Sequence, residues 1–148
     1  MFKPSNPFDE SVIAATSETL TTENWRDITA VCEKVQAGGG QSARDCIAAI
    51  LKRLAHRNAN VQLSALTLSN AIVKSCGPEA HSEICSRSFT QSLTRLLSDK
   101  NTNETVKTRI LELIQEWTNE FKSKASLSLM EETMNKLRMQ DLPAKEDK

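Results

Sequence analysis

Four cysteines and two histidines are the side chains of this 148-residue chain best suited to metal or nucleophilic chemistry: Cys32, Cys46, Cys76, Cys85, His56 and His81. A structural zinc site draws its ligands in closely spaced pairs, because a tetrahedral ion must be met from one turn or knuckle. No two of these cysteines stand as C-x-x-C, and the histidines lie far apart in sequence. Neither a metal nor a cofactor is expected. Three of the cysteines fall on apolar helical stripes, where a free thiol packs as a small hydrophobe. Buried, reduced thiols are therefore expected. Gly38-Gly39-Gly40 precedes a predicted helix and could suggest a phosphate cradle, but no strand leads into it and no Gly-Lys-Ser/Thr follows. It reads as a connector. Glu131 and Glu132 are adjacent on a charged helix face, and neither histidine has a nucleophile motif beside it. No catalytic residue is assigned, and the chain reads as a non-enzyme.

Trp25 remains, one of two tryptophans in a chain without tyrosine. The elements that hold the two tryptophans distinguish them. Val106, Ile110, Leu113, Ile114, Trp117 and Phe121 recur at helical spacing, with Trp117 in the middle of the stripe, so Trp117 is a core residue. Around Trp25, the core direction is set by Ile28, Val31, Cys32 and Val35. At about 100° per residue, Trp25 lies roughly 70° from the centre of that arc. It is a shoulder residue, with one face against the core and one wet. Such a tryptophan either packs against the preceding helix or anchors a partner, and the wheel alone leaves both open.

The remaining pattern is helical almost throughout, and no stretch alternates as a strand. Eight helices are predicted, over about 7–16, 23–36, 43–56, 59–75, 79–85, 89–98, 103–121 and 126–139. Their expected N-caps are Asn6, Thr22, Ser42, Asn58, the Ser88-x-x-Gln91 box, and Asn101 or Thr102. Gly77 stops the fourth helix and Pro78 opens the fifth. The stretch at 50–68 echoes that at 93–111, each a helix, an Asn-rich turn and a second helix, about 43 residues apart. The expected fold is all-α, a small right-handed superhelix of helices around a single core. Residues 1–5 form an N-terminal tail, 6–139 the domain, and 140–148 a tail or the start of a linker.

Nineteen basic and nineteen acidic residues cancel, and the isoelectric point is near 6.7. That balance offers no global field for nucleic acid or an anionic membrane. The longest apolar run, CIAAIL at 46–51, is far short of the roughly 20 residues that cross a bilayer. A soluble, intracellular protein is expected.

Several stretches, in order, resemble the VHS domain, and within it the STAM-type endosomal adaptors and their fungal relatives. They are NPFDESVIAATSE at 6–18, TTENW at 21–25, VCEKV at 31–35, NVQLSALTLSNAIVKSCG at 60–77, EICSRSFTQSL at 83–93 and EWTNEFKSKASLSLM at 116–130. The resemblance implies a right-handed superhelix of eight helices and a role in sorting ubiquitinated membrane cargo at endosomes toward the multivesicular body. It implies a cytoplasmic protein, peripheral on the endosome membrane, with an Hrs-type partner bound through regions outside this chain. Those regions, in the family, include a ubiquitin-interacting helix, an SH3 domain and a coiled coil. It also implies weak binding of ubiquitin through the second and fourth helices, with the tryptophan of the ENW-like motif, here Trp25, on ubiquitin's apolar patch. A leucine four residues later is usual; Thr29 stands here, on the same helix face. Ser69, Asn70 and Val73 are the rim positions expected from the fourth helix, whose core stripe is read as Val61, Ala65, Leu68 and Ile72.

Two related modes compete. Acidic-dileucine peptides bind some VHS adaptors between the sixth and eighth helices, where Arg95, Lys136 and Arg138 supply positive charge. Phosphoinositide binding in related folds uses a basic N-terminal segment, and here Lys3 is followed by Asp9 and Glu10. Scaffolding without a ligand is a further alternative.

Overall fold

The computed structural model describes residues 6–19, 24–121 and 129–139, with residues 129, 138 and 139 described by backbone alone. Expectations placed on Thr22, Lys3, the two tails, the first turn of the last predicted helix and the Arg138 side chain lie outside these residues. Among the described residues there are seven helices and no strand: α1 (Asp9–Ala15), α2 (Trp25–Leu54), α3 (Ala59–Ser75), α4 (Pro78–Ile84), α5 (Arg87–Ser98), α6 (Glu104–Glu120) and α7 (Leu129–Met139). The all-α expectation holds, but the count of eight does not. The second and third predicted helices are one element, α2, bent at Gly39, whose φ of 73° and ψ of −151° are non-helical. Helical structure resumes at the next residue, so Ser42 caps nothing. A backbone in that region is essentially confined to glycine, which is what the Gly38-Gly39-Gly40 triplet supplies.

Most helix starts follow from side-chain caps, though not always the expected ones. Asn24 caps α2: its Oδ1 accepts the Asp27 amide at 3.3 Å while its Nδ2 donates to the Asp27 carboxylate at 2.5 Å. Asn58 caps α3 as expected, accepting from the amides of Asn60 and Val61. Ser86, two residues before the expected box, caps α5 through the Phe89 amide, and Asn103 caps α6 through that of Thr105. Asn6 sits before α1, accepting the Phe8 amide at 2.8 Å and donating to the Asp45 carbonyl.

The chain divides into two compact units, Met1–Glu83 and Ile84–Lys148. In the first, α1, α2 and α3 pack together. Lys34 of α2 donates to the Pro7 carbonyl at 2.6 Å and lies 4.5 Å above the Phe8 ring, a cation–π contact. Farther along α2, Lys52 pairs with the Asp9 carboxylate at 3.0 Å and Arg53 donates to Thr16 Oγ1 at 2.9 Å. Both halves of α2 are thereby fixed to α1 and its flanks. Gln62, buried, donates to the His56 carbonyl at 2.7 Å and holds the turn into α3. In the second unit, α5, α6 and α7 pack on one another. The α6 stripe of Val106, Ile110, Leu113, Ile114 and Trp117 is entirely inaccessible to solvent. Trp117 meets Phe89 of α5 with ring centroids 6.1 Å apart, and Met130, Met134 and Leu137 of α7 are buried as well.

Candidate functional site

The Asn24 cap fixes Trp25 as the first helical residue of α2. One turn further, Ile28, Val31, Cys32 and Val35 are buried, as their spacing predicts. Trp25 is 56% exposed, and only Ile13 stands beside it as a large exposed apolar residue among those described. The shoulder geometry read from the wheel is therefore what the structure shows, weighted toward solvent. Thr29, about 40° round the helix from Trp25, is also exposed. Gln36 lies within about 20° of Trp25 on the same wheel, some 16 Å along the axis. Its Nε2 donates to the Ser75 carbonyl at the end of α3, at 2.6 Å. A turn earlier, the Cys76 thiol donates to the Cys32 carbonyl at 3.7 Å. These contacts show that the stripe carrying Trp25 and Thr29 runs along the side of α2 nearest α3, whose end it meets.

The α3 residues divide. Asn70 is half-exposed. Ser69 and Val73 are not on the rim: both are buried, at 0% and 2% exposure, and Ser69 Oγ donates to the Ala65 carbonyl of its own helix. The reason is the width of the apolar arc. Val61, Ala65, Leu68 and Ile72 are all buried, as expected, but so are Leu66 and Val73. With those two included, the arc widens and its middle moves to within about 20° of Ser69. On the side opposite that arc α3 exposes Asn60 and Lys74 and half-exposes Leu63, Ser64, Thr67 and Ala71. None of these is among the α3 rim positions expected from the sequence, whereas the helical wheel does set Gln36 beside Trp25 on the outer side, with Thr29 and Glu33. Including Leu66 and Val73 in the buried arc points to this α3 face, although Leu63 and Ala71, apolar themselves, lie outside it.

All four cysteines are free and buried. Burial pushes the thiols of Cys46 and Cys85 up to about 12, so both pack as neutral side chains. Among the described residues no group of three or more His, Cys, Asp or Glu side chains is arranged to hold a metal ion, and no helix is long and apolar enough to cross a membrane.

The family profile described as "VHS domain" matches residues 3–141, nearly the entire chain. The chain belongs to the VHS domain family. Its sequence is 54% identical over 147 residues to the class E vacuolar protein-sorting machinery protein HSE1 of Mycosarcoma maydis, covering 99% of this chain and 25% of that protein. It is 51% identical over 136 residues to the protein of the same name from Emericella nidulans, covering 92% and 23%. This VHS domain thus spans about a quarter of the length of these relatives. Among solved structures, the VHS and FYVE tandem domains of Hrs, a protein involved in membrane trafficking and signal transduction, align over all of this chain and 66% of that one, with a TM-score of 0.83 and 25% identity.

Proposed function

We propose that this VHS domain is a non-enzymatic ubiquitin-binding module of an endosomal sorting adaptor, acting on ubiquitinated membrane cargo bound for the multivesicular body and vacuole. The observation that carries the reading is Trp25: a tryptophan 56% exposed, fixed at a capped helix start, on the side of α2 that adjoins α3. A large amphipathic ring presented to solvent from a fixed backbone position is a typical binding anchor. Similarity to proteins named as vacuolar sorting machinery supports the cellular setting. In that setting the module is cytoplasmic and peripheral on the endosome. An Hrs-type partner binds the longer protein elsewhere, and neither a cofactor nor a metal takes part.

The surface consists of Trp25 and Thr29 from α2 with Asn70, Thr67 and Lys74 from α3. One aromatic anchor with few apolar neighbours buries a small interface, so the expected dissociation constant for monoubiquitin is about 0.1–1 mM. Titration of the labelled domain with ubiquitin, followed by chemical shift, tests this, with an acidic-dileucine peptide as comparator. Perturbations should map to α2 and α3, and Trp25→Ala should remove them while helical circular dichroism is unchanged. Thr29→Leu places an apolar side chain one turn from the anchor and should tighten binding by up to about 1–2 kcal/mol. Shifts elsewhere, or undiminished binding by Trp25→Ala, would exclude the tryptophan from the interface.

A further inference from the structure

Cys32 and Cys76 do not merely share a core. Their side chains meet across two helices, Cys32 in the first half of α2 and Cys76 as the C-cap of α3. The same Cys76 sulfur is 3.7 Å from the Cys32 carbonyl, across 44 residues of sequence. One turn on, the Gln36–Ser75 bond holds the same two helices together, so the pair sits in a fixed contact. One member of the pair, Cys76, borders open space. A partly open cavity of about 230 Å³ is lined by Gln36, Gly39, Cys76, Gly77 and Glu79, and Cys32 is not itself in that wall.

We propose that Cys32 and Cys76 are a redox-responsive thiol pair that closes to an intrachain disulfide when hydrogen peroxide enters this cavity, converting a hydrogen-bonded α2–α3 contact into a covalent one. Side chains already in contact need only small rotations to approach disulfide geometry. Their roles differ. The Cys76 side chain, and after it that of Ser75, stabilise the Cys32 thiolate and hold its pKa below the usual thiol value despite burial. Cys76 is correspondingly pushed up. Cys32 is therefore the nucleophile. Cys32 first releases its proton; as thiolate it attacks one peroxide oxygen, the O–O bond breaks, and the departing hydroxide takes up the released proton to become water. Cys32 is then a sulfenic acid. The Cys76 sulfur attacks the Cys32 sulfur, the S–O bond breaks, and the hydroxyl leaves with the Cys76 proton as a second water. Two thiols lose two electrons, which the peroxide gains. Cys46 and Cys85 have no such arrangement: burial alone, or burial first, sets their titration.

The experiment exposes the reduced 148-residue protein to peroxide, quenches with catalase, and alkylates under denaturing conditions before mass spectrometry. The proposal expects a loss of two hydrogens, two alkylated cysteines in place of four, and one crosslinked peptide joining Cys32 to Cys76. The thermal midpoint should rise by roughly 5–10 °C, since the bond closes a long loop, and return on reduction. Cys76→Ser should leave a sulfenic acid at Cys32 that dimedone traps, and Cys32→Ser should leave Cys76 unoxidised. The wild-type mass readout stands even where a variant folds poorly. Four alkylated thiols after peroxide, a bond through Cys46 or Cys85, or crosslinking only between molecules each overturns the proposal.

Discussion

Trp25 and Trp117 are the same side chain in opposite settings. Trp117 is fully enclosed and stacked at a tilt on Phe89, while more than half of Trp25 faces water. Truncating a buried aromatic removes its transfer free energy and leaves a cavity, so Trp117→Ala should cost about 3–5 kcal/mol. Trp25→Ala opens no enclosed cavity and should stay within about 1 kcal/mol. Urea melts of the two variants measure the difference, and equal losses would refute the separation. Periodicity made both roles legible before any coordinates. A stripe centred on Trp117 points inward, and an arc that leaves Trp25 on its shoulder points it outward. Ser69 and Val73 were misread at the same scale. A serine in a helix interior satisfies its hydroxyl on the carbonyl four residues back, so polarity alone does not put it on the surface.

At the scale of elements, the bend in α2 separates the half that carries Trp25 from the half that carries Lys52 and Arg53, and both halves are tied to α1 and its flanks. Sequence showed that a break had to occur at the three glycines. It did not show that the break would be one residue long, since a loop and a kink draw on the same residue type. Gly39 alone carries the bend, and the neighbouring glycines are helical. A methyl group at Gly39 meets nothing within 4 Å, so replacing it raises only a conformational penalty at φ 73°. Gly39→Ala should therefore cost about 1–3 kcal/mol. At Gly40 the added carbon would lie 3.7 Å from Glu79 Cγ, an ordinary contact, in helical backbone. Gly40→Ala should be neutral or stabilise by up to about 1 kcal/mol, because alanine loses less entropy in a helix. Adjacent substitutions of one kind should thus differ in sign. Denaturant midpoints moving together would show that the bend does not depend on Gly39. The caps were less legible than the bend. Ser86, Ser88, Asn101 and Asn103 are all chemically able, and tertiary packing selects between candidates one turn apart.

At the scale of the whole molecule, this VHS domain is about a quarter of the relatives it matches, and its proposed surface is too small for tight binding by itself. One exposed aromatic with a threonine in place of an apolar neighbour gives a complex that dissociates quickly. A membrane crowded with ubiquitin changes the arithmetic, because a second contact made by a tethered neighbour is intramolecular. With an effective concentration of a few millimolar against a single-site dissociation constant of about 0.1–1 mM, two linked sites exceed one by about 10-fold without any new contact. Joining two copies of the domain through a short coiled coil and measuring binding to linear diubiquitin tests this directly. The apparent affinity should rise by about that factor over the single domain, and the rise should appear in the off-rate. Trp25→Ala in one copy should return the fusion to the monovalent value, and in both copies should remove binding. Replacing diubiquitin by monoubiquitin should also erase the gain. A fusion that binds monoubiquitin as tightly as diubiquitin would locate the added energy in the coiled coil or in a new surface, and would detach the sorting role from Trp25.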